Sequence, residues 1–145
     1  MIIKHILEKK GKKNLITIRK NNTLLTASKI LNENQIGALP VCEKSKEIQG
    51  IISERDIIKK IALHGAKSLD LKVQDSMTLI VSTCKLCDTV KDVISKMKKG
   101  RFRHMPVIED NIIIGFVSIS DLIMEHSIEI EFENDTLKGS IKGYS

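Results

Sequence analysis

From Thr23 onward the apolar positions fall at helical spacing, with Leu24, Ala27, Ile30 and Leu31 forming one stripe through "TLLTASKILNEN". Thr23, or Asn22 before it, is a ready N-cap for that helix. The period then shortens: "ALPVCE" and "IQGIIS", separated by the polar "KSKE", predict a β-hairpin. "SERDIIKKIALHG" returns to helical spacing and predicts a helix from Glu54 to about His64. "ITI", residues 16 to 18, predicts a short strand ahead of the first helix.

The second half repeats this order. "LIVST" predicts a strand, "TVKDVISKMKKG" a helix with Val90, Val93, Ile94 and Met97 on one stripe, and "HMPVIE", "DN", "IIIGFVS" a second hairpin. A final helix follows from Ile119. Superimposing Pro40 on Pro106 matches Thr23 with Thr89, Leu24 with Val90, Ala27 with Val93, Leu31 with Met97, Val41 with Val107 and Glu43 with Glu109 without a gap. After a one-residue adjustment in the hairpin loop, Gly50 meets Gly115, Ser53 meets Ser118, Asp56 meets Asp121 and Ile57 meets Leu122. The chain is a duplication.

Each copy therefore reads as β-α-β-β-α, with Pro40 and Pro106 near strand starts, where a missing N–H is tolerated. Residues 1–70 make the first repeat with its N-terminal segment, 71–145 the second with a C-terminal extension, and 65–78 the connector. Neither repeat has much core of its own, which predicts two units packed around a pseudo-twofold axis in a mixed α/β (α+β) fold. Beyond residue 124 the pattern leaves helix or strand open, because Ile128, Ile130 and Phe132 alternate.

Composition narrows the possible functions. Of the 145 residues 41% are apolar but only 3% aromatic, with no Trp, so the core is built from Ile, Leu, Val and Met, and the lack of exposed rings for base stacking argues against a typical single-strand RNA or DNA reader. The formal charge is +6, with lysines crowding the start and acids the end. That excess suits an anionic ligand, nucleic acid or solubility alone. No apolar run approaches a bilayer span and "MIIKHILEKKGKK" lacks a signal-peptide pattern, which implies a cytoplasmic protein without a membrane partner. Cys42, Cys84 and Cys87 form an odd set and predict reduced thiols; the pair at 84 and 87 lacks the second pair that a structural zinc site needs. No motif for nucleophilic, metal-assisted or phosphoryl-transfer catalysis occurs, so the chain reads as a non-enzyme with no catalytic cofactor.

A strand with proline, a hairpin, the frame Gly…Ser…Asp and a helix, given twice, resembles the CBS domain (cystathionine β-synthase type), and the whole chain resembles a tandem pair of them, a Bateman module. "SERDIIKKIALHG", "DSMT" and "KGRFRHMPVIEDN" further resemble small stand-alone bacterial two-CBS proteins. The resemblance implies a regulatory homodimer that binds an adenine nucleotide (AMP, ADP, ATP or NAD(H)) in clefts between the repeats. It also implies Asp56 and Asp121 as ribose ligands, Ser53 and Ser118 as neighbouring hydroxyls, and Ala38 and Leu39 in one copy, Arg103, His104, Met105 and Pro106 in the other, beside base and phosphate. The opening segment of each repeat would complete the other's cleft, bringing Thr17, Asn22 and Ala27 to Asp121, and Thr83, Asp88 and Val93 to Asp56.

The chemistry of these residues is apt. A carboxylate offers two acceptors to the cis-diol of a ribose, and a helix N-terminus beside it welcomes phosphate. Ser-x-x-Asp ahead of an apolar run is equally a capping pattern. The copies differ in their cations: Arg55 stands beside Asp56, whereas Arg101, Arg103 and His104 precede Pro106 and equip the second copy for an anion. Two other readings are open, a nucleic-acid-binding protein using the basic segments and a dimerisation module without a ligand.

Overall fold

The computed structural model describes residues 1–11, 15–79 and 82–143. Its elements are α1 (Ile3–Lys10), α2 (Leu24–Asn34), β1 (Ala38–Cys42), β2 (Ile48–Ser53), α3 (Glu54–His64), β3 (Thr78–Leu79), α4 (Val90–Gly100), β4 (His104–Glu109), β5 (Ile112–Ser118) and α5 (Ile119–Gly143). Two short 3₁₀ segments, Gly65–Asp70 and Val73–Asp75, carry the connector. None of the described helices is long and apolar enough to cross a membrane.

The predicted duplication is visible in detail. Thr23 and Thr89 cap α2 and α4 by accepting the N–H of Thr26 and of Asp92 at 3.2 and 3.1 Å. Both helices end on a left-handed residue, Gln35 and Arg101. The hairpins β1–β2 and β4–β5 are antiparallel and carry a bulge at the same place, opposite Val41/Cys42 and Val107/Ile108. Pro40 and Pro106 sit third in their strands, near the start as expected. The carbonyls of Pro40 and Pro106 accept the N–H groups of Ile18 and Cys84. Their nitrogens thus face the same edge, away from the hairpin partner, and no ladder bond of the hairpin is lost.

Two expectations are corrected. The first strand of each repeat shrinks to one parallel bridge, Ile18 to Val41 and Cys84 to Val107. Leu79, predicted to open the second repeat's strand, pairs instead with Gly50 of β2 in the first repeat's sheet; Ile80 and Val81 lie outside the described residues. The tail that the pattern left open is helical through Gly143, with Thr136 hydrogen-bonded to the Phe132 carbonyl one turn back.

The core forms two aliphatic clusters. One contains Ile18, Leu24, Ala27, Leu39, Val41, Ile52 and Val73; the other contains Val90, Val93, Met97, Met105, Val107, Val117 and Leu122, together with Ile3, Ile6 and Leu7 of α1. The repeats thus exchange their opening segments: α1 seats on the second repeat and β3 on the first. The paired glycines follow from this exchange. A Cβ on Gly50 would lie 2.7 Å from Met77 Sδ and 2.9 Å from the Thr78 carbonyl oxygen, and one on Gly115 2.6 Å from Leu7 Cδ1.

Candidate functional site

The strand-to-helix turn is built alike in both repeats. Ser53 and Ser118 end their strands, and the next backbone N–H, of Glu54 or Ile119, donates to the carbonyl of Gly37 or Arg103 at 2.9 and 2.8 Å. Each serine hydroxyl accepts the aspartate N–H, and each aspartate carboxylate accepts the serine N–H. The capping reading of Ser-x-x-Asp therefore holds in both copies.

The two carboxylates differ beyond the cap. Asp56 Oδ2 also accepts the Ser53 hydroxyl at 3.0 Å and its Oδ1 the Thr78 hydroxyl at 3.1 Å. Asp121 Oδ2 accepts Lys10 Nζ at 2.9 Å, and Lys10 also donates to the Phe116 carbonyl at 2.9 Å. No described residue donates to Asp121 Oδ1. Burial pushes the Asp121 carboxyl up, but the hydrogen bond and charge of Lys10 and the donors of Ser118 outweigh it and hold the group below its ordinary value.

A cavity of about 760 Å³ opens at Asp121 between the repeats. Its walls come from the first repeat through Gly37, Ala38 and Glu54, from the second through Arg103, His104, Phe116, Ser118 and Asp121, and from α1 through Lys9 and Lys10. His104 stacks on Phe116 with ring centroids 5.5 Å apart. Its imidazole is pushed down to about 4, by burial first and then by Lys10, against an opposing pull from Asp121. The ring is neutral at pH 7 and contributes a flat, weakly polar wall rather than a charge. A smaller cavity of about 200 Å³ lies at Asp56, lined by Ser53, Arg55, Thr78, Arg101, Arg103 and again Gly37, Glu54 and His104.

Of the residues expected at a site, Ala38, Ser53, Arg55, Asp56, Arg101, Arg103, His104, Ser118 and Asp121 line these two cavities. Leu39 and Met105 do not: both are fully buried in the cores, because alternate residues of a strand face opposite sides and Ala38 and His104 take the cavity side. Pro106 lines neither cavity. Thr17 and Asn22 line a separate cleft of about 510 Å³ with Arg19 and Lys46, since the Ile18 bridge keeps that segment on its own repeat. Thr83 likewise precedes the Cys84 bridge, and Asp88 is spent on the Lys85 N–H at 2.8 Å. Ala27 and Val93 are core residues of their own repeats.

The exchange between repeats is real, but Lys10 and Thr78 are the residues that reach the opposite aspartates. Lys9 and Lys10 belong to the basic N-terminal cluster in the sequence. The apolar spacing of Ile3, Ile6 and Leu7 signals that α1 buries a face, which places Lys10, three residues on from Leu7, at its margin. Both lysines face acids, Lys9 pairing with Glu125 at 2.6 Å, so they do not form an open basic surface. The Cys84 thiol is pushed up to about 12, chiefly by burial, and Cys42 is raised too, which leaves both unreactive. Among the described residues no cluster of His, Cys, Asp and Glu is placed to hold a metal ion.

Comparison with known proteins agrees with this architecture. The family model "CBS domain" matches residues 4–63 and 83–127. The chain is 33% identical to the CBS domain-containing protein CBSX3, mitochondrial, of Arabidopsis thaliana, over 94% of this chain and 72% of that protein. A CBS-domain containing protein from Agrobacterium tumefaciens has a similar structure, with a TM-score of 0.81 and 32% identity over 87% of this chain and 99% of that one. The CBS domain pair of protein MJ0100, solved in complex with 5′-methylthioadenosine and S-adenosyl-L-methionine, has a TM-score of 0.77 and 28% identity over 89% of this chain and 98% of that one.

Proposed function

The chain belongs to the CBS-domain family, and from that premise we propose that it is a non-enzymatic regulatory module of the cytoplasm. It binds an adenine nucleotide (AMP, ADP, ATP or NAD(H)) and reports occupancy to a partner protein. The observation that carries this reading is the cavity at Asp121, whose volume is in the range of small-molecule sites. One capped carboxylate keeps an oxygen without a described donor, and Lys9, Lys10 and Arg103 stand around it. A ribose diol would take the carboxylate, the base would lie against the paired rings of His104 and Phe116, and a phosphate would meet Arg103 and the freed Lys10. The adenosine ligands of the MJ0100 domain pair support the class of ligand. The cations beside Asp121 favour an anionic member of it.

Regulation follows from linkage: a ligand that takes Asp121 competes with Lys10, and so acts on the seat of α1. The test is thermal. A nucleotide present at a hundredfold excess over its dissociation constant stabilises the fold by about 2.7 kcal/mol. If AMP, ADP, ATP, NAD(H) and S-adenosylmethionine all leave the melting temperature unmoved, a dimerisation module without a ligand is the better account.

A further inference from the structure

The two cavities share a wall. Gly37, Glu54, Arg103 and His104 line both of them. At Gly37 the partition lacks a side chain, and a Cβ there would stand 3.4 Å from Glu54 Oε1 and 3.8 Å from His104 Nε2. Their sizes are unequal: about 760 Å³ falls in the range of nucleotide-sized sites, whereas about 200 Å³ falls below it. Their carboxylates are unequal too, since both oxygens of Asp56 already accept hydrogen bonds.

The smaller cavity nevertheless has the means to bind an anion. Arg55, Arg101 and Arg103 line it, and among the described residues none of the three makes an ion pair or a side-chain hydrogen bond. Three guanidinium groups stand there against the two carboxylates Glu54 and Asp56, and Asp56 is already held by Ser53 and Thr78. Guanidinium forks with open donors suit phosphate oxygens, which they can bind in pairs.

We infer that the smaller cavity is the phosphate arm of the larger one, so that each chain takes one adenosine 5′-di- or triphosphate across both, not two adenosine ligands. The inference rests on the nucleotide reading above and narrows its ligand class. Adenosine sits at Asp121, the α-phosphate crosses the wall at Gly37 and Arg103, and the terminal phosphates lie among Arg55, Arg101 and Arg103. A dinucleotide is disfavoured, because its second nucleoside needs more room than about 200 Å³.

Isothermal titration of the full chain with AMP, ADP, ATP and NAD⁺ tests this. The expected result is one ATP per chain, bound about tenfold or more tighter than AMP, as new charge-assisted hydrogen bonds require. Arg55→Ala and Arg101→Ala, checked for unchanged melting without ligand, should collapse the ratio of ATP to AMP affinity. Two molecules of AMP or ATP per chain, or equal affinities for AMP, ADP and ATP, would overturn the shared-arm inference while leaving the nucleotide module standing. If no adenosine compound binds at all, the module reading fails first and this inference falls with it.

Discussion

Lys10 sits between two titrating groups, Asp121 and His104, and its removal has a double signature. It lowers the Asp121 carboxyl through a hydrogen bond and charge, and it lowers the His104 imidazole by charge. Lys10→Met should therefore raise both groups together, which an NMR titration of the His104 ring and the Asp121 carboxyl would follow; a shift in only one would mean that the 2.9 Å contact does not persist in solution. The pH dependence of stability has a definite sign. His104 binds its proton less readily folded, at about 4, than unfolded, at 6.5, so its contribution is full above 6.5 and is lost as pH falls through that window. Asp121 is also depressed, so its contribution is present above its ordinary value of 3.8 and is lost below it. Both effects act in the same direction, and the denaturant midpoint should fall steadily on acidification from pH 7. In the Lys10→Met protein the His104 part of that fall should begin in the same place but be smaller.

The elements show why some of this was legible and some was not. Helix caps at Thr23 and Thr89 and the Ser-x-x-Asp turns depend on residues within four positions of each other, and each hairpin joins adjacent strands through a short polar turn, so local spacing announces them. The core identity of Leu39 and Met105 was also within reach, since strand alternation assigns them to the face opposite Ala38 and His104. An exchange of opening segments is implied by the family resemblance, but the residues that carry it were not within reach: the stripe Ile3, Ile6 and Leu7 reveals a buried face but not which repeat covers it. The glycine pair is the trace that the exchange leaves in the sequence, and it offers a test. Gly50→Ala sets a methyl against the backbone oxygen of Thr78, which cannot rotate away, whereas Gly115→Ala meets the end of the Leu7 side chain. Each should cost about 1–3 kcal/mol as overpacking, with Gly50→Ala the worse. Thermal melts of the two variants decide the order, and a neutral Gly50→Ala would mean that β3 does not hold its place against β2.

At the scale of the whole molecule the duplication places apolar residues where a single chain does not use them. Ile58 on α3 and Ile123 on α5 follow the buried Ile57 and Leu122 at matching positions, and both are exposed, Ile58 at 62%. Ile61 extends the first patch, and Met124 and Ile128 the second at a four-residue spacing along α5. Scattered apolar residues on a surface need no explanation, but here the same position is left exposed in both repeats, as a shared interaction face would require. We propose that the occupant is a second copy of the chain, the homodimer that the family resemblance implies, joined through a twofold interface in which each patch meets its like. Such a dimer would cover helices that begin at Glu54 and Ile119, beside the two cavities, and so would give ligand occupancy a route to the partner surface. Sedimentation velocity should find a dimer for the wild-type chain and a monomer for the double variant Ile58→Glu, Ile123→Glu. Neither substitution touches a core residue, so the helical circular dichroism of the monomer should match that of the dimer. A wild-type chain that sediments as a monomer at the concentrations used for nucleotide titration would remove the self-associating face, and would leave those helices to a different protein.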